Sequence, residues 1–198
     1  MPKREESLAP LLAALRGLVG WLQASNVSGL VIGGVAASLL GRPRVTRDVD
    51  AVVLLEEKEW STFLATGVRY GFVPRLSNPL EFAKKARILL VRHESSGIDV
   101  DIAFGALPFE REAISQSRWI DVGGVRLPLP TPENLIIMKA VAHRPRDLAD
   151  IESILDVHSK LNLKRVRRWV RQFSDALEMS EIFKDLETIL ARRRKRKK

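Results

Sequence analysis

Cysteine is absent from the 198 residues, which excludes disulfides and thiolate metal sites and fits a reducing, cytoplasmic setting. Histidine is scarce. His93, His143 and His158 show no zinc spacing among themselves, and His143, after an apolar helical stretch, reads as a cap or an ion-pair partner. No apolar run approaches the roughly 18 residues that a membrane span needs, so no membrane association is expected. The charged opening Met1-Pro-Lys-Arg-Glu-Glu leads into helically spaced leucines and does not match a secretory leader. Internal repeats are lacking, and low complexity is confined to the C-terminal end.

An apolar content of 45% is ordinary for a globular chain, and the length suits one domain or one and a half. Positive charge is plentiful but unevenly placed. Seven of the nine net charges lie in Arg192-Arg-Arg-Lys-Arg-Lys-Lys198, leaving +2 for the remainder. A run of like charges repels itself, so 192–198 is expected to be a disordered tail. It reads either as an electrostatic arm for nucleic acid, strengthened by counterion release, or as a solvated solubility tail. In Lys164-Arg-Val-Arg-Arg-Trp-Val-Arg171, Arg167, Arg168 and Arg171 would share one helical side and Val166, Trp169 and Val170 another. Trp21, Trp60 and Trp119 are expected to pack rather than to stack on bases.

Periodicity predicts a helix over 5–25, a strand at 29–32, a short helix over 35–40, a strand from 48 to 55 and a helix over 57–70. Two hairpins follow, 86–93 with 97–104 around Ser95-Ser96-Gly97, and 119–122 with 125–128 around Gly123-Gly124, separated by a helix over 109–117. Thr131-Pro132 is a helix start signal, with helices expected over 132–143, 146–158, 162–175 and 178–191. The expected architecture is α+β, a small mixed β-sheet flanked by helices over 1–130, then a helical region over 131–191.

The chemistry concentrates in two segments. Residues two apart on a strand share a face, so Asp48 and Asp50 would stand side by side, as would Asp99 and Asp101. Carboxylates that close repel unless a cation lies between them or one is protonated. Such pairs suit a hard cation such as Mg²⁺, which is held by oxygen ligands together with substrate phosphates. Gly33-Gly34, upstream, would let the backbone approach a triphosphate. Arg44 and Arg47 flank the acids and would either contact phosphate or neutralise Asp48 and Asp50.

The pattern Gly33-Gly34-x-Ala36, Gly41-x-x-Arg44-x-Thr46-x-Asp48-x-Asp50 resembles the nucleotidyltransferase superfamily typified by DNA polymerase beta. Within it the chain is most similar to AbiEii-type small nucleotidyltransferases, several of them toxin–antitoxin components. Leu129-Pro-Thr-Pro-Glu-Asn-Leu-Ile-Ile-Met-Lys139 and His143-Arg-Pro-Arg-Asp-Leu-Ala-Asp-Ile151 are similar to that family's later segments. Many members carry Gly-Ser where this chain has Gly33-Gly34, so it lacks that hydroxyl.

The resemblance implies a nucleotidyltransferase fold over roughly 28–157. It makes Gly33 and Gly34 the phosphate-loop residues, and Asp48, Asp50 and Asp101 the ligands of Mg²⁺ or Mn²⁺, with Asp99 an alternative third acid. Arg44 and Lys139 would contact the nucleotide, and Asp147 matches the acid of a further motif. The implied activity moves an NMP from an NTP to an acceptor hydroxyl. Given the basic C-terminal half, RNA such as tRNA is the expected acceptor, in a toxin–antitoxin setting with a cognate partner. Three rivals stand beside it: adenylylation of a protein hydroxyl, an inactive RNA- or protein-binding module, and modification of an aminoglycoside. A cationic drug would prefer an acidic cleft, which the basic balance does not favour.

Overall fold

The computed structural model describes residues 8–196. They fall into two compact units. One holds the described residues up to Val35 together with Val45–Pro130; the other holds Ala36–Arg44 and the residues from Thr131 on.

The first unit opens with helix α1 (Ala9–Ala24), which has Pro10 in its first turn and buries Ala14, Leu15, Leu18, Val19, Trp21 and Leu22 at helical spacing. The remainder of the expected helix, 5–7, lies outside the described residues. Strand β1 (Gly29–Ile32) runs directly into α2 (Gly33–Leu40), whose later residues belong to the second unit. Then come β2 (Asp48–Val53), a single 3₁₀ turn, α3 (Trp60–Val68), β3 (Phe72–Pro74), α4 (Pro79–Ala86), β4 (Ile88–His93), β5 (Ile98–Phe104), α5 (Pro108–Ser115), β6 (Arg118–Val122) and β7 (Val125–Leu129).

Five strands form one sheet in the order β1-β2-β5-β4-β3, and β6-β7 form a separate hairpin. Within the larger sheet β2 and β5 are parallel and the other neighbours antiparallel, so it is mixed, as the pattern predicts. Neither β3 nor α4 is legible in the sequence: three residues carry no alternation, and α4 presents only Ala83 to the core.

Aromatic stacking anchors this unit. Trp21 stacks on Phe63 at 4.3 Å between ring centroids, and its indole N–H donates to the Phe63 carbonyl at 2.8 Å. Trp60 stacks on Phe104 at 4.0 Å. Trp119, unlike the other two, is 47% exposed, with the Arg126 guanidinium 5.8 Å from its ring centroid. It occupies an outward position of a two-stranded hairpin, where alternation sends every second residue to solvent.

The second unit is helical: α6 (Pro132–Ala142), α7 (Pro145–Val157), α8 (Leu163–Ala176) and α9 (Ser180–Arg196). The Thr131 hydroxyl caps α6 by accepting from the Asn134 N–H at 3.2 Å. Helix α9 continues to Arg196, into the basic run that composition alone assigns to a disordered tail; Lys197 and Lys198 lie outside the described residues. The Arg193 guanidinium donates to the His158 carbonyl at 2.6 Å. Among the described residues no helix is long and apolar enough to cross a membrane.

Candidate active site

Parallel pairing of β2 with β5 sets Asp48 opposite Asp99 and Asp50 opposite Asp101. Adjacent strands lie about 4.8 Å apart, so four carboxylates form a two-by-two array on one face of the sheet. The opposite face of the same strands carries the buried Val49, Ala51, Val100 and Ile102. Alternation puts the acids in pairs, and the register brings the pairs together.

Gly33 closes one side of the array. Its φ is +62°, and a Cβ built on it would lie 1.8 Å from the Asp50 Oδ2. Only glycine leaves room for that carboxylate where β1 ends and α2 begins. Gly34 lies in the first turn of the same helix, among the amides that an α-helix leaves without intrahelical acceptors.

Cations already engage the array. The Arg75 guanidinium donates through Nη1 to Asp99 Oδ2 at 3.1 Å and through Nη2 to Asp101 Oδ1. Arg92 donates through Nε to Asp99 Oδ1 at 2.7 Å. The Thr46 hydroxyl donates to Asp48 Oδ1 at 2.9 Å. Asp99 is held below the usual carboxylate range, chiefly by its hydrogen bond from Arg92. Asp101 is pushed up, first by burial and then by the negative charges of Asp48 and Asp99, with Arg75 acting against both. Sequence patterns pointed to neither arginine. Arg92 lies opposite Asp99 on the face of β4 that it shares with Ile88 and Leu90, whereas Arg75 follows a strand too short to read.

All four donors are carboxylate oxygens, which fits a hard divalent cation in kind. Among the described residues no three carboxylate or imidazole groups stand in ready metal-holding geometry; Asp101 carries the Arg75 guanidinium.

In the second unit a different cluster forms. The Lys139 side chain is 6% exposed, and its ammonium donates to Asp147 Oδ1 at 2.7 Å and meets Asp150 Oδ2 at 2.9 Å. Asp147 also accepts from the Arg144 Nε at 2.6 Å, and Asp150 takes both Nε and Nη2 of Arg44, at 2.8 and 2.9 Å. Burial pushes the Asp147 carboxyl up; hydrogen bonds from Arg144 and Lys139 outweigh it and hold the group below its ordinary value. Arg44 and Lys139, expected at the nucleotide, both pair with carboxylates of α7. A lysine on an apolar helical face must be paired, because an isolated buried ammonium is too costly. Ser38 is engaged locally as well, exchanging hydrogen bonds with the Arg44 backbone at 3.0 and 3.1 Å.

No protein-family model and no curated protein matches the chain. Solved structures do. A nucleotidyltransferase-like antigenic protein from Paracoccidioides brasiliensis superposes with a TM-score of 0.55 at 16% identity, over 88% of this chain and 92% of its own. The antibiotic-resistance factor ANT(2'')-Ia in solution gives 0.56 at 15%, over 86% and 95%. The same factor crystallised with adenylyl-2''-tobramycin gives 0.55 at 14%, over 84% and 98%. At such identities the likeness establishes the fold, which is that of the nucleotidyltransferases.

Proposed function

We propose that this chain is a metal-dependent nucleotidyltransferase whose reacting centre is the carboxylate array of β2 and β5. The carrying observation is the register that sets Asp48 and Asp50 against Asp99 and Asp101 beside a glycine that admits no side chain. Asp48, Asp50 and Asp101 are the residues that would hold Mg²⁺ or Mn²⁺; Asp99 is already engaged by two guanidinium groups. Bound there, the cation would neutralise phosphate charge and lower the pKa of an attacking hydroxyl.

The protein's own groups do the rest. Backbone amides of Gly33 and Gly34 meet the triphosphate at the start of α2, where donors and helix dipole both favour an anion. An acceptor oxygen attacks the α-phosphorus, the bond to the bridging oxygen of the β-phosphate breaks, and pyrophosphate leaves. Asp101, which faces Asp50 across the β2–β5 register, receives the hydroxyl proton. Arg44, Lys139, Asp147 and Asp150 serve as the ionic framework of the helical unit.

The acceptor in this proposal is RNA, tRNA being the first to test. Lys164, Arg168 and Arg171 recur along the exposed side of α8, while Val166 and Val170 are buried. Such a stripe suits phosphate neutralisation. ANT(2'')-Ia was crystallised with adenylyl-2''-tobramycin; the basic stripe on α8 favours a polyanionic acceptor instead. A toxin–antitoxin setting remains part of the proposal through the AbiEii-like motifs.

The test supplies ATP, CTP, GTP and UTP in turn, labelled at the α-phosphate, with Mg²⁺ and total tRNA, to wild type and to Asp48→Ala/Asp50→Ala. Label entering RNA with wild type only supports the proposal and names the nucleotide. Label on protein redirects it to protein adenylylation. No transfer, with NTP binding indifferent to Mg²⁺, leaves a binding module.

A further inference from the structure

Arg75 stands just after the edge strand β3, and its backbone N–H donates to the Leu90 carbonyl at 3.0 Å. Leu90 lies opposite Asp101 in the β4–β5 register. The tether carries the guanidinium across β4 to the array, where it touches Asp99 and Asp101 together. Its side chain is 25% exposed, and its Nε is buried without a hydrogen-bond partner. A buried orphan donor is costly, so the fold tolerates a penalty to keep the two terminal nitrogens on the acids. Arg92 differs: its side chain is 52% exposed and its bond goes to Asp99 alone.

We propose that Arg75 is the resident counter-cation of the array, held on Asp101 until a divalent metal displaces it. The inference rests on the metal-dependent function proposed above. A guanidinium and a metal ion compete for the same Asp101 oxygen, so Arg75 sets the threshold metal concentration. The same residue suppresses carboxylate repulsion while no metal is bound. Removing it has two effects of opposite sign: metal binds more tightly, and the metal-free protein becomes less stable. A merely structural arginine would show only the second.

Mn²⁺ binding to the full chain, followed by calorimetry and by loss of the free-ion EPR signal, tests this on wild type, Arg75→Met, Arg75→Lys and Arg92→Gln. Arg75→Met is expected to tighten Mn²⁺ by about tenfold or more, given the strength of a close charge pair near a protein surface. Arg92→Gln is expected to change it by less than about threefold, as an exposed pair does. Metal-free Arg75→Met melts below wild type, and saturating Mn²⁺ closes the gap.

Wild type that binds Mn²⁺ while Arg75→Met binds it equally or more weakly overturns the inference and leaves the proposed function standing. Wild type and Arg75→Met that both ignore Mn²⁺, like Asp48→Ala/Asp50→Ala, overturn both. Where Arg75→Met does not fold, Arg75→Lys decides. Its single ammonium cannot span both acids, so several-fold tightening is expected, and no tightening is fatal.

Discussion

Gly33 and Asp50 are fitted to each other at van der Waals range: a Cβ on the glycine would lie 1.8 Å from the Asp50 Oδ2. The close approach belongs to the β1–β2 pairing, in which Ile32 lies opposite Asp50. Gly33→Ala is therefore expected to cost about 1–3 kcal/mol through its left-handed backbone and to drive the Asp50 carboxylate out of the array. Urea titration and Mn²⁺ binding check the two effects separately. A variant with wild-type stability and wild-type metal affinity would contradict this geometry.

The Lys139–Asp147–Asp150 cluster should behave as a buried ion network. Lys139→Met leaves two carboxylates short of a partner and is expected to cost about 3–5 kcal/mol. The double variant Lys139→Met/Asp147→Leu should be less destabilised than the sum of the two single changes. Because the Asp147 carboxyl is held below its ordinary value, its stabilisation is complete above about pH 4 and is lost as pH falls through the folded-state value. Additive single effects in a double-mutant cycle would show that the network carries no coupling.

His93 is buried at the end of β4, with its Nδ1 2.8 Å from the Ser96 hydroxyl and its ring 5.1 Å from that of Phe72. Burial lowers its pKa below the ordinary imidazole value. The unfolded chain thus takes up a proton first, and stability should fall as pH drops below about 6.5. The loss should level off once the folded-state value is passed. His93→Gln should flatten the stability profile below about pH 6.5 relative to wild type. Parallel profiles would show that His93 does not contribute.

Replacing Lys164, Arg168 and Arg171 together by Gln tests the acceptor. Loss of three phosphate contacts should weaken tRNA binding and reduce the slope of log K against log salt by about 2–3. Fluorescence anisotropy across a salt series measures both. Arg167→Gln serves as contrast, since Arg167 is committed to Glu187 at 2.6 and 3.3 Å; it should leave the salt slope nearly unchanged and lower stability instead. An unchanged slope in the triple variant would remove α8 from RNA binding.

Much of the carboxylate array is legible in the sequence. Asp48-Val-Asp50 and Asp99-Val-Asp101 announce shared faces because strand periodicity is local, and Gly33-Gly34 announces a turn for the same reason. Helix α6 announces itself through Thr131-Pro132, and the cap is present. Lys139 was legible as unusual, a charge on an apolar face, but its partners were not. The nearest, Asp147 and Asp150, come from the next helix, and Arg44, which completes the cluster, lies 106 residues from Asp150. The same helical spacing would have served a lysine directed at a ligand.

By itself, the sequence determined the alternation of β2 and β5, the absence of thiol chemistry, the helical C-terminal region and the glycine at the end of β1. Each depends on residues within a turn or a few pleats of one another. Tertiary structure alone decided that β5 pairs with β2 in parallel and in the register that opposes Asp50 to Asp101. It alone brought Arg75 to those acids across β4 and placed Arg44 and Lys139 on the carboxylates of α7. Strand register and long-range ion pairing are set by which distant faces bury together, and local pattern carries no record of that choice.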